Sequence, residues 1–450
     1  MFNACPAQKS YDLYEPRHPR KTHYFQCVEA HFEDLEMAWD DRYQNQYGFF
    51  RSYVRDVIYR YLDCGDLHLG FARVRCGDCG HEYLLPFSCK RRHFCPSCHQ
   101  KRVVEFGQWL CCEVLKKLPH RHIVFSIPKI LRRYFLYDRT LLAGLSRCAW
   151  ESLKEWHQII GNKPEEVPGA TVAIQTFGDF LGFNPHCHVL VTDGCFYGAD
   201  KFKVAPTVQT KDLETVFRAK VFRLLLTAGK INDGLITMLL SWRHSGFNVH
   251  CGRRIWPDDE NAMENVARYI IRASFSQERM TYVREQATVV YQSKNGKTTK
   301  TFDALEWIAA MCSHVPNRGE QMVRYYGYYS NVSRGRRKKE NSDDIIPHII
   351  EGGKLSPAQR KSWARLIQKI YEVDPLTCPK CRGSMKIIAF IEQAEVIQKI
   401  LKHVGLWDAQ KRPPPRAGPS PEYLQTNHSE SQIVYSGDYC DPDYPFEAYL

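Results

Sequence analysis

Three small groups of residues in this chain have the types and spacing to do chemistry. His186 and His188 flank Cys187 in an apolar run that reads as a strand. Strand side chains alternate between faces, so the two imidazoles share one face and can hold one divalent cation. Gln175, on a preceding run that also reads as a strand, could bring an amide oxygen to the same ion. Downstream, Tyr269 is flanked by Arg268 and Arg272 in a stretch with helical periodicity. A phenol with an ordinary pKa of about 10 is a poor nucleophile unless positive charge stabilises the phenolate or the transition state. Arg268, Arg272 and a histidine-bound metal each offer that charge where a phosphodiester would accumulate negative charge. On a helix Arg272 shares the tyrosine's face while Arg268 lies about 100° around, so Arg272 is the better placed. A lone H-x-H, or one tyrosine among 25, is more often an ordinary core or surface residue. Their combination points to metal-assisted attack on phosphate.

The third group is built of thiols. The chain has 18 cysteines, and an intracellular chain keeps them reduced, so spacing decides which of them matter. Cys76-Gly-Asp-Cys79 and Cys95-Pro-Ser-Cys98 are two C-x-x-C knuckles separated by fifteen residues. That spacing suits a single tetrahedral Zn2+ site, and four closed ligands make it structural. Cys64, His68, Cys89 and His93 lie nearby and are read as ordinary residues. A further knuckle, Cys378-Pro-Lys-Cys381, has no obvious partner in the sequence, with His403 as one candidate ligand.

Separate elements must position these groups. Arg121 to Ile127, Thr171 to Phe177 and His186 to Thr192 read as strands, the first stopped by Pro128. A long helical segment runs from Pro128 to about Ile160, and another from Lys211 to Ala228. Asp259 is a plausible N-cap for a helix through roughly Ala273. Asn295-Gly296 marks a hairpin with a two-residue turn between Val289 and Phe302. Residues 1 to about 25 read as a loose basic arm, and 407–450, with Pro413, Pro414 and Pro415, as a poorly ordered tail.

The 450 residues are 44% hydrophobic and 13% aromatic, as expected of a globular chain of two or three domains. No apolar run reaches the roughly 18 residues needed to span a bilayer. The first 24 residues lack the apolar core of a signal peptide. A cytoplasmic protein is expected. There are 62 basic and 50 acidic residues, a formal charge of +12. Clusters at Lys90, Arg91 and Arg92, at Lys101 and Arg102, and at Arg334, Arg336, Arg337, Lys338 and Lys339 suit contact with DNA phosphates, against the alternative of solvated loops.

Taken in order, these motifs resemble the rolling-circle insertion-sequence transposases of the HUH endonuclease superfamily, the IS91 family. The matching stretches are Arg75-Cys-Gly-Asp-Cys-Gly-His, Phe87-Ser-Cys-Lys-Arg-Arg-His-Phe-Cys-Pro-Ser-Cys, Gln175-Thr-Phe-Gly, Asn184-Pro-His-Cys-His-Val-Leu-Val, Ala267-Arg-Tyr-Ile and Arg324-Tyr-Tyr-Gly-Tyr-Tyr-Ser. They extend from about Cys64 to about Leu406. The resemblance implies an α+β fold with a ferredoxin-like nuclease core, an N-terminal zinc domain and a mostly helical C-terminal region. It implies Mg2+ or Mn2+ on His186 and His188, and attack on single-stranded DNA by Tyr269 to leave a 5′-phosphotyrosine and a free 3′-hydroxyl. The expected partition is an arm and helix (1–50), a zinc-binding DNA-docking domain (51–105), the endonuclease (106–290), a basic region carrying the Cys378 knuckle (291–406) and the tail.

Two positions depart from the family pattern. Cys187 stands where a bulky apolar residue is usual. Asn265 stands where two-tyrosine members carry a second tyrosine, which resembles a single-tyrosine branch. With one nucleophile, the freed 3′-hydroxyl or a second protomer of a homo-oligomer must resolve the intermediate. Two rivals rank lower. One is a metal-free tyrosine recombinase using His250 and Arg253; the other is a zinc-dependent DNA-binding protein without catalysis.

Overall fold

The computed structural model describes residues 12–13, 19–91, 93–161, 167–197, 201–205, 210–340, 373–374 and 377–407. Arg92, the start of the arm and the tail from residue 408 lie outside the described residues. Contacts divide the chain into two units: residues 1–38, 62–89 and 356–450 in one, 39–61 and 90–355 in the other. The boundaries expected from sequence are linear, whereas each unit is gathered from separate segments.

The larger unit is organised by one antiparallel sheet of five strands: β1 (His120–Ser126), β2 (Gly169–Phe177), β3 (Phe183–Thr192), β4 (Asn248–Ile255) and β5 (Val323–Gly327). Their order is β5-β2-β3-β1-β4. Helices α1 (Pro96–Trp109), α2 (Thr140–Gly161), α3 (Thr210–Thr227), α4 (Glu260–Tyr269) and α5 (Asn331–Lys339) complete the frame. The first four strands form a β-α-β-β-α-β unit in which β1 and β3 are neighbours at the centre. That is the split β-α-β order of ferredoxin-like folds, and the architecture is α+β.

Alternation along β3 assigns its faces. Cys187, Val189 and Val191 join Ile123, Phe125, Leu145 and Phe217 in a core beneath α2 and α3. Cys187 is fully buried there and turned away from its histidine neighbours, so a small apolar thiol serves. Leu190 lies on the opposite face, in a second core with Phe106 of α1, Ala267 of α4, and Ile270. His186 and His188 share parity with Leu190 and open toward α4.

Local chemistry adjusts several element ends. The helix expected from Pro128 to Ile160 is two helices, Lys129–Tyr137 and Thr140–Gly161. Asp138 separates them by accepting from the Thr140 amide and hydroxyl, as an N-cap does. Asp259 caps α4 as expected, accepting from the Ala262 amide at 2.9 Å, but the helix ends at Tyr269 rather than near Ala273. The hairpin around Asn295-Gly296 forms with a wider loop than a two-residue turn. Ser293 N–H donates to Thr298 O at 2.8 Å, Gly296 takes a φ of 70°, and Asn295 accepts from Lys297 N–H.

In the smaller unit a three-stranded antiparallel sheet runs in the order Met385–Ile391, Phe71–Cys76, Glu82–Pro86. Ile397 and Leu401, from the helix Ala394–His403, pack on Phe71. Among the described residues no helix is long and apolar enough to cross a membrane.

Candidate active site and metal centre

β3 presents His186 and His188 side by side, with their Nε2 atoms 3.1 Å apart. Two ligands at right angles, each roughly 2.1 Å from an octahedral cation, stand about 3.0 Å apart. His186 Nδ1 lies 2.7 Å from Asn184 O, a contact that puts the proton on Nδ1 and the lone pair on Nε2. His188 Nδ1 lies 2.9 Å from His122 Nε2; with His188 Nδ1–H donating to His122 Nε2, the lone pair of His188 Nε2 is free. Burial, reinforced by the neighbouring cations, holds His186 near a pKa of about 4 and His188 near about 2. Burial first, then His250, lowers His122 to about 4. All three rings are neutral at pH 7, the form a cation binds.

Gln175 lies opposite His186 in the β2–β3 register. Its Nε2 donates to Ile270 O at 2.8 Å and to Tyr269 O at 3.3 Å. Its Oε1 is buried without a hydrogen-bond partner. An orphaned carbonyl oxygen beside two neutral imidazoles is the donor set that a hard divalent cation completes, so these residues fit Mg2+ or Mn2+.

Tyr269 closes α4 above this face. Its ring centroid is 5.4 Å from that of His188 and 6.1 Å from that of His122, and the residue is 39% exposed. The two flanking arginines differ. Arg272, in the turn after α4, sets its guanidinium 4.8 Å from the Tyr269 ring centroid and leaves Nε buried without a partner. Arg268 instead pairs with Glu264 at 2.7 Å and lies on α1, where a side chain at Gly107 would meet its Cγ at 2.8 Å. Asn265 is exposed on α4.

Two residues near the histidines were not singled out in the sequence. His122 shares its face of β1 with Val124 and Ser126, which register opposite His188 and His186; strand parity gives it that face, and the pairing of β1 with β3 brings the face to the site. Arg132, on the helix after β1, contributes to the low pKa of His186. Another link joins α1 to the tyrosine segment. His99 Nδ1 accepts from His93 N–H at 3.1 Å, so its Nε2–H donates to Ile271 O at 2.8 Å.

The cysteines group differently from the expected set. Cys76 and Cys79 stand with Cys378 and Cys381, all four sulfurs within 4.8 Å of one another. Pairing of Met385–Ile391 with Phe71–Cys76 brings the distant knuckle there. Cys95 and Cys98 belong to the other unit; Cys95 is the N-cap residue of α1, and Cys98 is buried in its first turn. His403 is exposed and outside the group.

The basic run at α5 also divides. Arg336, Lys338 and Lys339 are exposed. Arg334 and Arg337 are buried: Arg334 lies over Trp109 and Tyr325 at 5.5 and 5.2 Å, and Arg337 over Tyr328 at 3.7 Å. These two arginines hold the helix down rather than offer themselves to phosphate. Lys90 is exposed, Arg91 half-buried, Lys101 paired with Glu105, and Arg102 set over Phe106.

Comparison with known proteins gives two family matches. Residues 35–127 match the family described as "Transposase zinc-binding domain" and residues 169–337 the family described as "Putative transposase". The transposase for insertion sequence element IS801 of Pseudomonas savastanoi pv. phaseolicola is 24% identical over 378 residues, covering 76% of this chain and 85% of that protein. The putative transposase y4qJ of Sinorhizobium fredii (strain NBRC 101917 / NGR234) is 23% identical over 381 residues, covering 79% and 93%. No solved structure matches the chain.

Proposed function

We propose that the chain is a transposase of the IS91 family, as its matches to two transposase families and two transposases support, and that it cuts single-stranded DNA at the ends of its insertion element with Tyr269 as attacking group. The observation that carries this reading is the placement of Tyr269 beside His188 and beneath Arg272. His186, His188 and Gln175 Oε1 would hold Mg2+ or Mn2+, which supplies Lewis-acid stabilisation of the charge that builds on phosphate. His122 fixes the tautomer of His188, as a carboxylate does for other metal-bound histidines.

In the reaction the Tyr269 oxygen bonds to phosphorus and the bond to the 3′-oxygen breaks. The phenolic proton leaves to solvent, and the 3′-oxygen takes one up to become a hydroxyl. Arg272, whose guanidinium lies 4.8 Å from the Tyr269 ring centroid, is the chain's own donor for a non-bridging phosphate oxygen. Arg268, committed to Glu264 and α1, orients α4 instead. Exposed Arg336, Lys338 and Lys339 are the groups that would meet DNA backbone. The chain acts in the cytoplasm, where its DNA lies.

The test is incubation with single-stranded oligonucleotides from the element's ends, followed by peptide mapping of the covalent adduct. Attachment at Tyr269, lost in Tyr269→Phe and reversibly stopped by chelation, is the expected result. Attachment at another tyrosine, or nicking unaffected by chelator, overturns the reading.

A further inference from the structure

We infer that Cys76, Cys79, Cys378 and Cys381 are the four ligands of a single zinc ion that joins two chain segments some 300 residues apart. This site is independent of the nuclease reading, and half of its ligands lie outside the residues that match the zinc-binding family, 35–127.

The sulfur geometry is the first argument. Cys76 Sγ is 3.7 Å from Cys381 Sγ, and Cys79 Sγ is 3.5 Å from Cys378 Sγ. Thiolates at ~2.3 Å from a tetrahedral zinc stand about 3.8 Å apart along each edge. The contacts are far too long for disulfides, and all four cysteines are free.

The second argument is that the two knuckles are built alike. Cys76 N–H donates to His81 O at 2.8 Å, and Cys378 N–H donates to Gly383 O at 2.9 Å, the same five-residue step. The residue after each second cysteine is left-handed: Gly80 at φ 70° and Arg382 at φ 60°. A non-glycine residue held there signals a constrained turn. Gly383 N–H lies 3.4 Å from Cys381 Sγ, a contact that favours a thiolate.

The third argument is close fit between the turns. Gly77 N–H donates to Ser384 O at 3.2 Å, and Met385 registers opposite Cys76. A Cβ at Gly383 would collide with the Asp78 carboxylate. Val74, Cys76, Cys378 and Met385 share one small core.

Zinc analysis of the full-length protein tests the sharing of one ion. Cys76→Ser/Cys79→Ser and Cys378→Ser/Cys381→Ser should each lose one equivalent, and the quadruple variant no more than that. Zinc content unchanged by Cys378→Ser/Cys381→Ser, or a quadruple loss equal to the sum of the pairs, overturns the assignment. Alkylation of the wild-type protein keeps the test independent of variant folding. Cys79 and Cys381 are exposed, yet with zinc bound both should resist maleimide and become reactive together after chelation. Rapid labelling of either thiol in the zinc-loaded protein also overturns it.

Discussion

His186 and His188 stand with their Nε2 atoms 3.1 Å apart on one face of β3, and burial keeps both rings neutral. Their spacing makes the shared face legible, because strand parity is a local rule. His122 was not, because its partnership with His188 depends on which strands become neighbours. At the residue scale the two kinds of histidine should separate in kinetics. His186→Ala or His188→Ala should abolish nicking. His122→Ala should retain it but need roughly 10- to 100-fold more Mn2+, the usual cost of losing a group that orients a ligand. Nicking titrated against Mn2+ checks this, and an unchanged midpoint in His122→Ala would remove that residue from the site. Tyr269→Phe should eliminate the adduct completely. Asn265→Ala, at an exposed position on α4, should slow cleavage at most, as gel assay of trapped adduct will show.

Among elements, the strands and α4's start were readable from alternation and from Asp259, whereas ends and partners were not. Five basic residues ending in Lys339 look alike in sequence, yet α5 turns Arg334 and Arg337 onto Trp109, Tyr325 and Tyr328. The aromatic residues that claim them lie on other elements. Arg334→Ala should therefore lower the unfolding midpoint in urea, by about 1–3 kcal/mol of stability. Lys338→Ala/Lys339→Ala should leave that midpoint in place and weaken DNA binding uniformly across sequences. Its salt slope should flatten by about 2, one for each lost phosphate contact. Equal effects of the two variants on stability would contradict the division of the helix.

For the molecule as a whole, several histidines are buried and uncharged. His120, His122, His186 and His314 sit near a pKa of about 4 and His188 near about 2, each chiefly through burial. The unfolded chain takes up those protons near pH 6.5. Between pH 6.5 and 4 it therefore binds more protons than the native state, and stability falls as pH drops. Each such group contributes up to about 1.4 kcal/mol per pH unit in that window and the full amount above it. Thermal unfolding followed from pH 7.5 to 4.5 should show a steadily falling Tm. Mn2+ should raise Tm at pH 7.5 in wild type but not in His186→Ala. A Tm flat across the window would rule out buried neutral histidines. The α+β class was legible at this scale, but the pairing of knuckles was not. Linear spacing favoured Cys95 and Cys98 for Cys76 and Cys79, and only the strand Met385–Ile391 brings the distant pair instead.

That strand carries a consequence for how the protein comes into being on the ribosome. Cys76 and Cys79 emerge early, and their partners Cys381 and Cys378 follow 305 and 299 residues later. At roughly 5–20 residues per second the wait is some 15–60 s. Throughout it Phe71–Cys76 lacks its outer neighbour while residues 90–355, the greater part of the other unit, are being made. A message cut short before codon 378 would thus yield a chain with Tyr269 and its histidines in place and a head unable to close. Passage of the ribosome beyond codon 381 is in this way recorded in the metal held at Cys76 and Cys79.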